Sequence, residues 1–130
     1  QLIAHGKLDA VMTAHIFNRQ LDAELPATLS HKMLTGLLRN RLGFKGVILT
    51  DDMYMQGIVD NYAIEDAIVL AINAGADMLV MGNNITTGYE PDRPFRVVQM
   101  IVDAVNAGKI SAERLRESYE RIKTLKNRLK

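Results

Sequence analysis

The 130-residue sequence contains no cysteine and no tryptophan, and its other aromatic residues are four tyrosines and three phenylalanines. The lack of cysteine excludes disulfides and any metal site that needs thiolate ligands. So few aromatic side chains argue against a stacking platform for single-stranded nucleic acid. A net charge of only +1 argues against a general polyanion binder. We therefore expect no nucleic-acid partner.

Long apolar runs are absent as well. No segment approaches the roughly 18 apolar residues of a membrane-spanning helix, and no signal peptide opens the chain. A content of 48% hydrophobic and 24% charged residues is typical of a soluble globular domain, and we expect no membrane span. We expect a cytoplasmic location, although the residues themselves leave the compartment open. The chain begins with Gln1 rather than methionine, which favours a part of a longer parent, whose signal region would lie upstream.

The most informative segment is a short apolar run from Gly46 to Leu49. It is too short for a helix and sufficiently β-branched for a buried strand. The run stops at Thr50, Asp51 and Asp52. Ligands of α/β proteins collect at the carboxyl ends of parallel strands, so this tip is a candidate functional site. A solvated turn that caps the next helix is the alternative interpretation of the two carboxylates.

A unit of helix, glycine, apolar strand and polar tip occurs three times. The units run from Gly6 to His15, from Gly43 to Asp52 and from Gly75 to Asn84. Strand starts about 30 to 36 residues apart match the roughly 250 residues that eight units of a (β/α)8 barrel share. Right-handed crossovers make the strands parallel and bring the three tips to one face.

Three strands cannot close a barrel and would leave two sheet edges open. The pattern therefore predicts an α/β fold that comprises the last three βα units of a TIM barrel and a C-terminal helix. Residues 1–130 would then be the C-terminal portion of one barrel domain. We predict strands near residues 10–14, 46–50 and 77–81, helices near residues 30–42, 62–74, 95–107 and from about 112, the end of a helix at residues 1–5, and loops at residues 16–29 and 53–61.

Residues 43–55 (GFKGVILTDDMYM) resemble the nucleophile segment of family 3 glycoside hydrolases, in the version found in β-N-acetylglucosaminidases, also called β-hexosaminidases. Three further segments agree with that family in order and spacing: residues 11–16 (VMTAHI), 26–30 (PATLS) and 74–79 (AGADML). The β-glucosidase branch of the family typically has Ser-Asp-Trp where this chain has Thr-Asp-Asp. The resemblance covers most of residues 1–84, and residues 85–130 are compatible with it.

The resemblance implies a retaining glycoside hydrolase without a cofactor, acting on N-acetyl-β-glucosaminides such as peptidoglycan fragments in cell-wall recycling. It assigns the nucleophile to Asp51, because in the family the Asp after Ser or Thr attacks the anomeric carbon. The family's acid/base is a histidine on an earlier loop, accompanied by a Lys-His-x-Pro-Gly segment, and this chain contains neither. We therefore expect an isolated chain to be inactive, with the missing N-terminal half of the barrel or self-association as its partner.

Four other side chains are candidate substrate-binding residues. The resemblance places His15 near the sugar, although a histidine that satisfies loop carbonyls is the alternative. Adjacent side chains on a strand point to opposite faces, so Asp52 points away from Asp51. It is therefore the better candidate for anchoring a loop through backbone N–H groups. Met55 would line an apolar wall or simply pack. Asn83, with its neighbour Asn84, would bind sugar hydroxyls or form a turn.

Two other classes of function stay open. One is a metal-dependent barrel enzyme in which His15, Asp51, Asp52 and Asn83 bind a divalent ion. The sequence offers no third strong ligand with characteristic spacing, so we expect no metal site. The other is a non-catalytic βα module that assembles through its open sheet edges.

Overall fold

A computed structural model describes residues 1–83 and 89–128 of the chain. The centre of the fold is a parallel sheet of three strands in the order β1-β2-β3. The strands are β1 (Ala10–Met12), β2 (Val47–Asp52) and β3 (Met78–Val80). The predicted α/β fold with parallel strands is therefore confirmed.

Helices connect the strands and follow the last one. The segment Lys32–Arg41 is a helix of the wide π type, and the α-helices of the described residues are α1 (Gln56–Val59), α2 (Ile64–Ala74), α3 (Arg93–Asn106) and α4 (Ala112–Arg128). Gly75 ends α2 with a φ of 121°, a conformation that favours glycine. In the part of the chain that the structure describes, no helix is long and apolar enough to span a membrane.

Three predicted connections differ from the structure, and one of them, the predicted loop at residues 16–29, contains a turn of 3-10 helix at Ala27–Leu29. Residues 2–6 form turns rather than the end of a helix, since a single turn fixes several dihedral angles for few hydrogen bonds. The segment 53–61, predicted as a loop, contains α1. This short helix forms where Ile58 becomes fully buried and its N–H binds the Met55 carbonyl at 2.9 Å.

The strand ends also differ from the prediction, and this changes where the polar tips lie. β1 ends at Met12, three residues before His15, and β3 ends at Val80. β2 is longer than predicted and includes both Asp51 and Asp52. As the central strand it is paired on both sides, and this pairing extends its regular backbone to the two carboxylates.

Helix α2 separates the two apolar clusters of the core. Ala67 and Ala71 face the cluster that contains Ile48 and Phe44 of the sheet layer. Ile68 and Ile72, one position further along the helix in each case, face α3 and the segment before α4. This spacing is that of a helix buried on two sides, so α2 holds the sheet against α3.

One face of the sheet is apolar and partly uncovered. Met12, Leu49 and Met78 are paired across the three strands, so their side chains lie in one row on one face. Met12 is 59% exposed and Met78 is 40% exposed. Val80 on β3 is 38% exposed. Val47 lies on the same face of β2 and is 1% exposed, so the described residues cover this face at the amino end of β2 and leave it open at Met12, Met78 and Val80, whereas a buried parallel sheet is covered on both faces.

The amino ends of β2 and β3 are held by the carboxylate of Asp77, which is buried and has no exposed surface. Its oxygens accept hydrogen bonds from Arg39 Nη2 at 2.6 Å, Ser118 Oγ at 2.8 Å, the N–H of Ile48 at 2.9 Å and Arg121 Nη1 at 3.0 Å. Arg114 Nη2 lies 3.4 Å away. Burial lowers the pKa of Arg39, and the charge of Asp77 opposes that shift. One carboxylate thus fixes the π-helix and α4 to the amino ends of β2 and β3.

The segment between β1 and the π-helix depends on a second buried carboxylate. Asp22 accepts a hydrogen bond from the Ser30 hydroxyl at 2.6 Å and another from the N–H of Glu24 at 3.1 Å. Lys32 Nζ lies 3.6 Å from the same carboxylate. The Ser30 hydrogen bond is the main reason why the pKa of Asp22 lies below its ordinary value, with the Glu24 N–H second.

We predict that Asp77→Asn destabilises the fold strongly. The variant keeps the shape of the side chain but leaves three guanidinium groups around a neutral amide. Removing one partner from a buried ion pair costs about 3–5 kcal/mol, and urea unfolding measures this loss. Glu117→Gln is the matched control, because Glu117 also pairs with Arg114 and Arg121 but is 48% exposed. It should cost less than about 1 kcal/mol, and equal losses would contradict the central role of Asp77.

We also predict that Asp22 makes part of the stability depend on pH. Because its pKa is lower in the folded than in the unfolded chain, the unfolded chain takes up a proton more readily as the pH falls. The contribution of Asp22 is present above the ordinary pKa of 3.8 and is lost as the pH falls through the folded value. Urea unfolding at neutral and strongly acidic pH should therefore show a smaller loss on acidification for Asp22→Asn than for the wild type. Identical acid profiles would refute the assignment.

Candidate active site

The carboxyl ends of the three strands share one edge of the sheet, as parallel strands require. Asp51 and Asp52 end β2, His15 lies three residues beyond β1, and Asn83 lies three residues beyond β3. Hydrogen bonds join these tips: His15 binds the carbonyl of Asp52, and the carboxylate of Asp52 binds the N–H of Gly82. The structure therefore brings the predicted site residues of all three tips together.

Asp52 ties the tip of β2 to the tip of β3. Its Oδ1 accepts the N–H of Gly82 at 2.7 Å and the N–H of Tyr54 at 3.0 Å. A side chain at position 82 would overlap the Asp52 carboxylate, so glycine is needed for this close approach. These are the backbone N–H contacts expected of a loop anchor. Substrate binding by Asp52 stays a prediction.

Asp51 lies beside this anchor in a different environment. Its Oδ1 accepts the N–H of Asp52 at 2.8 Å, and the residue is half-buried. None of the ion pairs within residues 1–83 and 89–128 involves Asp51. The carboxylate is therefore oriented by the backbone.

Both ring nitrogens of His15 are engaged within the protein. Nε2 lies 2.8 Å from the carbonyl oxygen of Asp52, and Nδ1 lies 3.0 Å from the hydroxyl of Thr28. The backbone of α1 passes close by, since a Cβ atom on Gly57 would lie 3.4 Å from the Cβ of His15. This is the geometry of a histidine that satisfies a loop carbonyl. A contact between His15 and a sugar stays a prediction.

Asn83 and Met55 also have local roles. The side chain of Asn83 donates to the carbonyl of Glu90 at 2.7 Å and accepts the N–H of Glu90 at 2.9 Å. It thereby joins the two ends of the segment after β3, and the predicted partner Asn84 falls outside the described residues. Met55 precedes α1, is 41% exposed, and its N–H binds the carbonyl of Asp52 at 3.1 Å, whereas its contact with a substrate stays a prediction.

Sequence reasoning missed Arg93, which lies behind the tips of β2 and β3. Its guanidinium stacks 4.1 Å from the ring centroid of Tyr54 and donates to the carbonyl of Gly82 and to Glu90. The residue is only 2% exposed. A charged residue at the start of a helix is usually solvated, so its burial could not be predicted from the sequence. The i,i+3 spacing from Glu90 was the one available signal of an ion pair.

The geometry does not favour the alternative of a divalent metal at the tips. Within the described part of the chain, no group of three or more His, Asp or Glu side chains could hold a metal ion. His15 and Asp52, two of the four proposed ligands, already bind backbone atoms through their polar groups.

A cleft of about 320 Å³ lies elsewhere, at the amino ends of β1 and β2. Its walls include Leu8, Phe44 and Val47, and the ion pair between Asp9 and Arg128, 2.8 Å long, lies at its side. The cleft contains none of the strand-tip residues. It is therefore separate from the candidate active site.

This chain is similar to proteins named β-hexosaminidase, β-N-acetylglucosaminidase and β-glucoside phosphorylase. The β-hexosaminidase A of Pseudoalteromonas piscicida is 33% identical over 129 residues, which cover 98% of this chain and 22% of that protein. A family 3 β-N-acetylglucosaminidase structure from Paenibacillus sp. superposes with a TM-score of 0.85 at 38% identity, covering 97% of this chain and 23% of that chain. A β-glucoside phosphorylase structure superposes with a TM-score of 0.83 at 30% identity, covering 98% and 23%.

This chain spans less than a quarter of the length of these three relatives. The match nevertheless extends over nearly all of its own residues. The family model described as the glycosyl hydrolase family 3 N-terminal domain matches residues 1–125. The resemblance seen in the sequence is confirmed, and the chain belongs to glycosyl hydrolase family 3.

Proposed function

We propose that this chain carries the nucleophile of a retaining β-N-acetylglucosaminidase, and that the nucleophile is Asp51. The observation that carries the proposal is the position of Asp51 at the carboxyl end of the central parallel strand. Reactive groups of (β/α)8 enzymes occupy this end of the strands. Asp51 is also held by a backbone N–H and is not neutralised by an ion pair among the described residues.

The reaction then follows the retaining scheme. One oxygen of the Asp51 carboxylate attacks the anomeric carbon as the glycosidic bond breaks, and a covalent glycosyl-enzyme forms. Water then attacks the same carbon, and the bond to Asp51 breaks, so the sugar leaves with its original configuration. The N–H of Asp52 orients the Asp51 carboxylate for the attack.

The acid/base is not one of the other groups at this edge. Asp52 uses its carboxylate to bind two backbone N–H groups. The Nε2 atom of His15 binds a backbone carbonyl, and its Nδ1 atom binds Thr28. The proton donor would therefore come from a part of the barrel beyond residues 1–130.

The partly uncovered sheet face supports a barrel built from more than this chain. Met12, Met78 and Val80 expose apolar surface on the face that would line a barrel interior. We infer that residues 1–130 are the last three βα units of a TIM barrel, completed by an N-terminal half or by a second copy. Alone, the chain would be inactive.

The substrate class follows from the relatives named β-hexosaminidase and β-N-acetylglucosaminidase. We infer an N-acetyl-β-glucosaminide substrate, such as a peptidoglycan fragment in a cytoplasmic recycling step. His15, Asp52, Met55 and Asn83 would line the sugar site. The similar phosphorylase suggests phosphate as a second acceptor to test, because phosphate can attack a glycosyl-enzyme in place of water. A non-catalytic module that assembles through its sheet edges is the other class of function.

We predict that Asp51→Ala, in a complete barrel that contains residues 1–130, abolishes hydrolysis of an aryl N-acetyl-β-glucosaminide. Removing a covalent nucleophile closes the low-barrier route, so kcat should fall by about 10⁴ or more. Asp52→Ala should instead lose the anchor between β2 and β3 and cost about 1–3 kcal/mol of folding stability. Steady-state kinetics and urea unfolding of both variants measure the two effects.

Azide provides the matched control for these variants. A small anion can occupy the space that the carboxylate leaves in Asp51→Ala and attack the anomeric carbon directly. Turnover should therefore recover with azide in Asp51→Ala, and the glycosyl azide should have inverted configuration, with no such recovery in Asp52→Ala. Full activity of Asp51→Ala, or recovery in Asp52→Ala alone, would overturn the assignment.

A further inference from the structure

A chain of three side-chain hydrogen bonds leads from the protein interior to the backbone of the candidate nucleophile segment. Thr13 Oγ1 lies 2.8 Å from Thr28 Oγ1, and Thr28 Oγ1 lies 3.0 Å from His15 Nδ1. His15 Nε2 lies 2.8 Å from the carbonyl oxygen of Asp52. Thr28 has no exposed surface, so water does not compete for its hydroxyl.

The direction of each hydrogen bond follows from the last acceptor. A carbonyl oxygen only accepts, so the Nε2 atom of His15 must carry a proton. In the neutral ring, Nδ1 is then an acceptor, and the hydroxyl of Thr28 must donate to it. The single proton of Thr28 is thereby used, so Thr13 must donate to Thr28. One tautomer of His15 satisfies the whole chain.

This series of hydrogen bonds ends at Asp52, the residue that holds Asp51. The carbonyl of Asp52 accepts from His15, and the N–H of Asp52 donates to Asp51 Oδ1 at 2.8 Å. A rotation of the Asp52 peptide units would therefore move the hydrogen bond that orients the Asp51 carboxylate. The side chain of Asp52 adds a third constraint through Gly82.

We propose that Thr28 is a positioning residue for Asp51, acting through the Nε2–H tautomer of His15, with Thr13 fixing the direction of the Thr28 hydroxyl. This rests on the proposed role of Asp51, although the tautomer itself is independent of catalysis. The hydroxyl, rather than the bulk of the side chain, carries the function. Valine would fill the same space at Thr28 and would leave Nδ1 of His15 without a donor.

The segment that carries Thr28 is built to hold it in place. The N–H of Ala27 binds the carbonyl of Ile16 at 2.8 Å, which fixes the residue before Thr28 to the segment after His15. The bond between Ser30 and Asp22 fixes the other side. Thr28 therefore meets His15 from a rigid turn, and a small change in the hydroxyl group can be tested without moving the backbone.

Long-range proton–nitrogen-15 NMR of the 130-residue chain tests the proposal. With the rings neutral, His15 should be protonated at Nε2 and not at Nδ1, and His15→Asn assigns its signals among the three histidines. In Thr28→Val, the Asp52 carbonyl should still hold the proton on Nε2, the Nδ1 resonance should shift because it loses its hydrogen-bond donor, and the Asp52 amide should exchange with solvent on the order of tenfold faster, the effect of one lost hydrogen bond. Thr28→Ser should restore both signals.

Thr35→Val is the matched control, because the Thr35 hydroxyl donates to the Ala74 carbonyl at 2.8 Å and makes no contact with the chain from Thr13 to His15. It should leave the His15 ring signals and the Asp52 amide unchanged. A wild-type His15 protonated at Nδ1 would overturn the proposal, and so would a Thr28→Val spectrum that matches the control. The wild-type tautomer needs no variant, so the test stands even where Thr28→Val does not fold.

The same spectra separate this proposal from the proposed enzymatic function. Loss of the predicted tautomer removes the positioning role of Thr28 and leaves the nucleophile assignment to its own kinetic test. If the predicted tautomer is found but the kinetic test shows that Asp51 is not the nucleophile, Thr28 and His15 only tether the tip of β2. They would then have no role in catalysis.

Discussion

The fold depends on one buried carboxylate that faces three guanidinium groups. Asp77 stands at the amino end of β3, binds the backbone of β2 and accepts from Arg39 and Arg121. Burying so much charge is costly unless each group is paired, so the π-helix and α4 must both be in place for the sheet edge to be stable. This arrangement fixes the amino ends of the strands and leaves their carboxyl ends for chemistry.

At the carboxyl ends, the same kind of polar contact serves a different purpose. Asp52 joins β2 to β3 through Gly82, and His15 joins the segment after β1 to β2 through the Asp52 carbonyl. Arg93 also stabilises this end of the sheet, because it stacks on the ring of Tyr54 and donates to the carbonyl of Gly82. Asp51 is bound by a backbone N–H and by no cation among the described residues. A rigid frame around an oriented, unneutralised carboxylate is what a covalent nucleophile requires.

The sequence predicted the strands well because glycine, an apolar run and a polar tip are local signals. It predicted the anchoring role of Asp52 for the same reason, since alternation along a strand is local. It could not predict the partners of Asp77, because Arg39 and Arg121 lie 38 and 44 positions away and look like ordinary surface charges. The burial of Arg93 and the contact between Thr28 and His15 also arise only when distant segments meet. The helix α1 was missed because a four-residue helix follows from the burial of Ile58 rather than from periodicity.

If Asp51 forms the covalent glycosyl-enzyme, that species can be trapped and located on the chain. A complete barrel containing residues 1–130 would be treated with an activated fluorinated N-acetylglucosaminide, which slows release of the sugar from the enzyme. Proteolysis and mass spectrometry then locate the modified residue. A single adduct on Asp51 is expected. An adduct on Asp52, or turnover with inverted configuration and no adduct, would contradict it.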